Sequence, residues 1–175
     1  MTRPPKRLEI PPRRSDNDKR RLHQTPDRTV LGTLRSRVFY NCHPKHKAEP
    51  LRFGLALYTG ELGDETRCDE HANFQPSDMP GVRRLLIRGI DAGLIGHKER
   101  DGFPTIFWTV SDQGWIFEAR VTNAGQAEYH GYPVRISEAI AGKVIERFDM
   151  WAQSNGSDLD RLAAAKCRER YRISR

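Results

Sequence analysis

The stretch "WIFEARVTNAGQAEYHGYPV", residues 115–134, holds a carboxylate, a guanidinium and an imidazole within thirteen positions: Glu118, Arg120 and His130. Together these groups can cleave RNA. The carboxylate takes the 2′-OH proton, the arginine steadies the charge on the phosphorane, and the histidine protonates the leaving oxygen. Tyr129 or Tyr132 would stack on a base. The plainer reading treats Glu118 and Arg120 as solvent-side strand residues paired across the sheet, with Gly131 making a turn or bulge. Ile116 and Thr122 share the Glu118 face, so a helix could cover it.

A second constellation is Cys42-x3-His46 followed by Cys68-x2-His71. Two Cys/His pairs at short spacing let two loops supply a tetrahedral zinc site, and zinc is the one cofactor this sequence suggests. His43 competes as a ligand, and Asp69 and Glu70 could support it. The spacing matches no standard finger, and with six histidines in the chain such pairs also arise by accident. Cys167 lies among Lys166, Arg168 and Arg170, which would make an exposed thiol reactive. "GIDAGLIG" lacks the strand and helix context of a dinucleotide fingerprint.

These groups need elements to hold them. The chain has 175 residues, enough for one domain with tails, and only 37% are apolar. Residues 1–37 hold eleven of the 30 Lys/Arg and four of the 23 Asp/Glu, so the whole excess of +7 sits there. The remainder is neutral. Residues 1–28 are rich in Pro and Arg and poor in apolar residues, so they read as a disordered basic tail. Arg13, Arg14, Lys19, Arg20 and Arg21 would make it a nucleic-acid arm through phosphate contacts. No apolar run is long enough to span a membrane, and the N-terminus lacks the apolar core of a secretory signal. Three cysteines leave one unpaired under any disulfide scheme, which points to the reducing cytoplasm.

Residues 29–41 have a β-branched and aromatic bias and predict a strand. Residues 50–60 alternate Leu51, Phe53, Leu55 and Leu57 with more polar neighbours and predict a second strand. Pro80 and the stripe Val82, Leu85, Leu86 and Ile90 predict a helix over about 79–92, stopped by Gly93. "FPTIFWTV", "SDQG" and "WIFEARVT" predict a hairpin, with a short edge strand near "EYHGYPV". Ile140, Val144, Phe148 and Trp151 form the stripe of a helix that Ser137 could cap. Ser157 and Asp160 predict the capping box of a basic C-terminal helix, which could dock a protein partner.

The expected fold is therefore α+β. Antiparallel hairpins form a small sheet, two or three helices pack on one face, and a disordered basic tail precedes them. The expected divisions are a tail over 1–28, a globular domain over 29–153 and a C-terminal helix over 154–175. Three functional classes follow: a nucleic-acid-binding protein with a cationic arm, a small RNase or toxin-like nuclease using Glu118, Arg120 and His130, and a protein-interaction module docking through the last helix.

Overall fold

The structure is a computed structural model that describes residues 20–172. In chain order its helices and strands are α1 (Arg28–Arg37), β1 (Phe39–Tyr40), α2 (Cys68–His71), α3 (Val82–Asp91), β2 (Glu99–Arg100), β3 (Phe103–Pro104), β4 (Ile106–Val110), β5 (Ile116–Asn123), β6 (Glu128–Pro133), α4 (Ile140–Ser154) and α5 (Asp158–Tyr171). The main sheet runs β1-β6-β5-β4, and β2 and β3 form a separate ribbon. β4, β5 and β6 pair antiparallel, as the sequence predicts, while the two-residue β1 lies parallel to β6. The class is α+β.

Strand alternation sends successive side chains to opposite faces. Phe107, Ala119 and Tyr129 face one way and pack with Leu34 of α1 and Val82, Leu86 and Ile90 of α3. Trp108, Val110 and Ile116 face the other way and pack with α4 and α5. Helices therefore cover both faces, where the sequence reading put them on one. Both faces of β4 are apolar, and all five of its residues are buried, so each face needs its own cover.

Of the two strands expected in the first third of the chain, the one within 29–41 is present only as β1 at Phe39–Tyr40, and the one within 50–60 is absent. Residues 28–37 are helical because the Asp27 carboxylate accepts hydrogen bonds from the N–H groups of Thr29 and Val30 at 2.7 and 3.1 Å. This cap overrides the β-branched bias of Thr29 and Val30. Residues 50–60 have no partner strand. Pro50–Phe53 make a 3-10 turn ended by Gly54 at φ 71°, and Leu51 and Leu57 are exposed.

The helix over 79–92 is present as a 3-10 turn over Pro76–Gly81 leading into α3, and Gly93 at φ 65° stops it as expected. Ser137 does not cap α4, which starts from Ala139 without a side-chain cap. Instead Glu138 accepts the Arg135 N–H at 3.0 Å. Ser157 and Asp160 do form the predicted capping box of α5.

Residues 20–28 do not behave as a tail. The His23 N–H donates to Ile95 O at 2.7 Å, Leu22 bridges to Gly96, and Leu22 joins the core. The expected boundary at residue 28 thus falls inside ordered chain. Residues 1–19, including Arg13, Arg14 and Lys19, lie outside the described residues. The C-terminal helix is part of the core too: Ala163, Ala164, Cys167 and Tyr171 are buried. Among the described residues no helix is long and apolar enough to cross a membrane.

Candidate active site: histidines beside a buried carboxylate

The site stands on three neighbouring strands. Trp108, Glu118 and Tyr132 are opposite one another on β4, β5 and β6, and Arg120 and His130 form the next rung. All lie on the face that carries Trp108. The sequence expectation that His130 approaches Glu118 and Arg120 is met through this register.

Glu118 is fully buried, and each of its oxygens serves two donors. Oε1 accepts from the Arg120 Nε–H at 2.8 Å and the Tyr132 hydroxyl at 2.5 Å. Oε2 accepts from the Arg20 Nε–H at 2.7 Å and the Trp108 indole at 3.1 Å. Burial pushes this carboxyl up, but Arg20, Arg120 and the Tyr132 hydrogen bond outweigh it and hold Glu118 below its usual range. A saturated, low-pKa carboxylate cannot serve as a general base. Its place is structural, holding Arg120 and Tyr132 in position. That corrects the catalytic part given to Glu118.

Over this rung lies the turn "HPKH". Pro44 starts it, and the His43 Nδ1 accepts the Lys45 N–H at 3.2 Å. The turn brings two more imidazoles to His130. The His46 ring stacks near parallel to His130 at 5.2 Å between centroids and on Tyr132 at 4.8 Å. His43 lies 5.7 Å from His130 and 6.0 Å from Tyr58. The Lys45 ammonium pairs with Glu65 at 2.6 Å and sits 6.0 Å from the Tyr58 ring. Thr66 fastens the same loop to β6 by donating its hydroxyl to Pro133 O at 2.5 Å.

Burial, then the charges of His43, Arg120 and Lys45, push the His130 imidazole down to about 4. Burial, then His130 and His43, push His46 down to about 3. Both rings are neutral at pH 7, the state in which an imidazole accepts a proton. His46 is buried and acts as packing beneath the cluster. His43 and His130 are half-buried, and Arg120 remains 37% exposed at its side chain, enough to meet a ligand. His130 Nδ1 and the Thr122 hydroxyl are 2.7 Å apart. A hydrogen bond from Nδ1–H to Thr122 leaves Nε2 as the basic nitrogen.

The other candidates scatter. Tyr129 is fully buried on the opposite face, where its hydroxyl donates to Pro104 O at 2.7 Å, and Tyr132 is buried beneath His46, so neither can stack on a base. Arg20 is 5% exposed and bound to Glu118, which removes it from any arm, whereas Arg21 is exposed. Cys167 is buried, and burial pushes its thiol up to about 12, the reverse of a reactive cysteine.

The zinc quartet does not assemble. His46 belongs to the histidine cluster. The Cys68 thiol donates to Gly131 O at 3.4 Å and is pushed up to about 11, chiefly by burial. The His71 Nδ1 accepts the Arg67 N–H at 3.0 Å. Lys47 is buried beside Cys68, which sets a cation where a metal would need a thiolate. Among the described residues no group of three or more His, Cys, Asp or Glu is arranged to hold a metal ion.

Sequence reasoning missed His43 as a neighbour of His130 and missed Tyr58 and the place of Arg20. The spacing in "HPKH" was a usable signal, since Pro44 forces a turn that sends His43 and His46 toward one patch. No protein family, curated protein or solved structure matches this chain.

Proposed function

We propose that the protein is a small metal-independent ribonuclease acting through His43, His130 and Arg120. The observation that carries this reading is the pairing of two accessible imidazoles, 5.7 Å apart, beside the Arg120 guanidinium. His130 is the base because it is neutral at pH 7. It takes the 2′-OH proton as the 2′-oxygen bonds to phosphorus. Arg120 compensates the charge that grows on the equatorial oxygens. The departing 5′-oxygen takes its proton from the His43 imidazolium, which forms when the ring gives up the Lys45 N–H at Nδ1, leaving a 2′,3′-cyclic phosphate and a 5′-hydroxyl. Tyr58, half-buried beside His43, offers a ring for a base. Basic residues of the N-terminal segment supply further attraction for phosphates.

The test is cleavage of a single-stranded RNA in EDTA, with an all-DNA strand as control and mass spectrometry of the ends. The expected products carry 2′,3′-cyclic phosphate. His130→Ala and His43→Ala should each lose on the order of a hundredfold or more in kcat with folding retained. Absence of cleavage, or cleavage untouched by both substitutions, would overturn the reading. In that case retarded migration of intact RNA would point to a binding protein instead.

A further inference from the structure

Arg20 enters the fold before any described helix or strand, yet its side chain reaches the centre of the candidate site. It lies 98 positions from Glu118, to which its Nε–H donates at 2.7 Å, and its Nη1 lies 2.5 Å from a Glu138 oxygen. All three side chains are buried. Glu118 divides its two oxygens: one faces Arg20 and Trp108, the other Arg120 and Tyr132.

We infer that Arg20 is a positioning residue, which orients Arg120 by holding the far oxygen of the carboxylate they share. The inference rests on the ribonuclease reading for its effect on rate, but its geometry is independent of any substrate.

The physical argument is one of charge and freedom. Arg20 and Arg120 balance Glu118 and Glu138, three of the four side chains being buried and Arg120 standing at the rim. Without Arg20, Arg120 becomes the sole cation on Glu118. The carboxylate is then free to rotate toward Arg120, and the guanidinium follows it away from His130. Lysine at position 20 would keep the charge but could not donate from Nε to one carboxylate while reaching the other with Nη1. The groups facing Glu118 are Arg20 from the N-terminal segment, Trp108 from β4, Arg120 from β5 and Tyr132 from β6. Of these only the two arginines are charged; beyond them lie Glu138, which shares Arg20, and His130, which interacts with Glu118 and is neutral above about pH 4. Removing one arginine should raise the Glu118 carboxyl toward its ordinary range.

Arg20→Met alone strands two buried carboxylates and endangers folding, so the informative variant is Arg20→Met with Glu138→Gln, which keeps the site neutral. Carbon-detected NMR of the Glu118 carboxyl and the Arg120 Nε–H resonance is followed against pH in the full-length protein without substrate. The expected result is an upward shift of the Glu118 midpoint and a displaced Arg120 Nε–H signal. With RNA, kcat should fall roughly tenfold to a hundredfold at nearly constant KM, and the acid limb of the rate should move to higher pH. Arg20→Lys should restore part of the rate. Unchanged Glu118 and Arg120 signals in a folded double variant would overturn the inference, whatever the rate. If the unaltered protein cleaves no RNA, the ribonuclease reading fails on its own, and the NMR titration still decides the link from Arg20 to Arg120.

Discussion

Two buried ion hubs hold this protein together, and they are mirror images in charge. At Glu118 one carboxylate is ringed by Arg20 and Arg120. At Arg88 one guanidinium meets Asp112 at 2.7 Å, Asp160 at 2.8 Å and Val110 O at 2.9 Å. Arg88 ties α3 to the β4–β5 turn and to the first turn of α5, and its partners here are two carboxylates and a carbonyl. Glu118 ties the N-terminal segment to β5 and β6, and its outer partner Arg120 lies beside His130. Burial and pairing are common to both hubs, so neither marks a functional site. What separates them is the outer rim: the Arg88 acids turn toward solvent or a helix cap, whereas Arg120 turns toward two imidazoles.

The contrast makes the Glu118 hub the more costly one to break. Its partner Arg20 is 5% exposed, whereas Asp112 is 46% exposed and can recover water. Glu118→Gln should therefore destabilise by about 3–5 kcal/mol in urea denaturation, because it strands buried cations. Arg88→Met should cost less, about 2 kcal/mol. Equal losses would show that the two hubs are equivalent and that the rim argument is wrong.

Acid should act on the Glu118 side first. His46 and His130 resist protonation until about pH 3 and 4 in the folded protein, but bind protons near pH 6.5 once unfolded. Their contribution to stability is complete above pH 6.5 and declines as pH falls toward those folded values. The loss should be on the order of 3 kcal/mol for each ring between pH 6.5 and 4. His46→Phe keeps the stack on Tyr132 and should flatten the slope; an unaltered slope would assign the acid sensitivity to another group.

The smallest effect belongs to the rim of the second hub. Arg84 and Asp112 pair at 2.9 Å with side chains 59% and 46% exposed. Arg84→Ala should change stability by less than about 1 kcal/mol, as measured by the shift in thermal midpoint. A larger loss would mean that Arg84 is needed to hold Asp112 on Arg88.

How much of this was legible in the sequence depends on how far apart the partners are. The β4–β5 hairpin and β6 show alternation that is satisfied by adjacent strands, and so Glu118, Arg120 and His130 were found together. Residues 50–60 alternate just as cleanly, but no strand is there to pair with them. A period of two permits a strand without providing its neighbour. The strand read within 29–41 was confined to Phe39–Tyr40 because a single cap, Asp27, makes residues 28–37 helical. The other half of the candidate site was least legible. His43 arrives from a turn and Arg20 from what composition marks as a tail, and nothing local in either segment says what lies across from it. Composition described the charge of Arg20 correctly and its environment wrongly.

The long reach of Arg20 also sets an order on the making of this protein. Arg20 is synthesised 98 positions before Glu118, and Glu138 follows later still. At cellular rates of elongation, the arginine waits on the order of ten seconds for its carboxylates. During that time His43 and His46 have no His130 to meet. A nascent chain of this design cannot close its candidate site until Glu138 has been added.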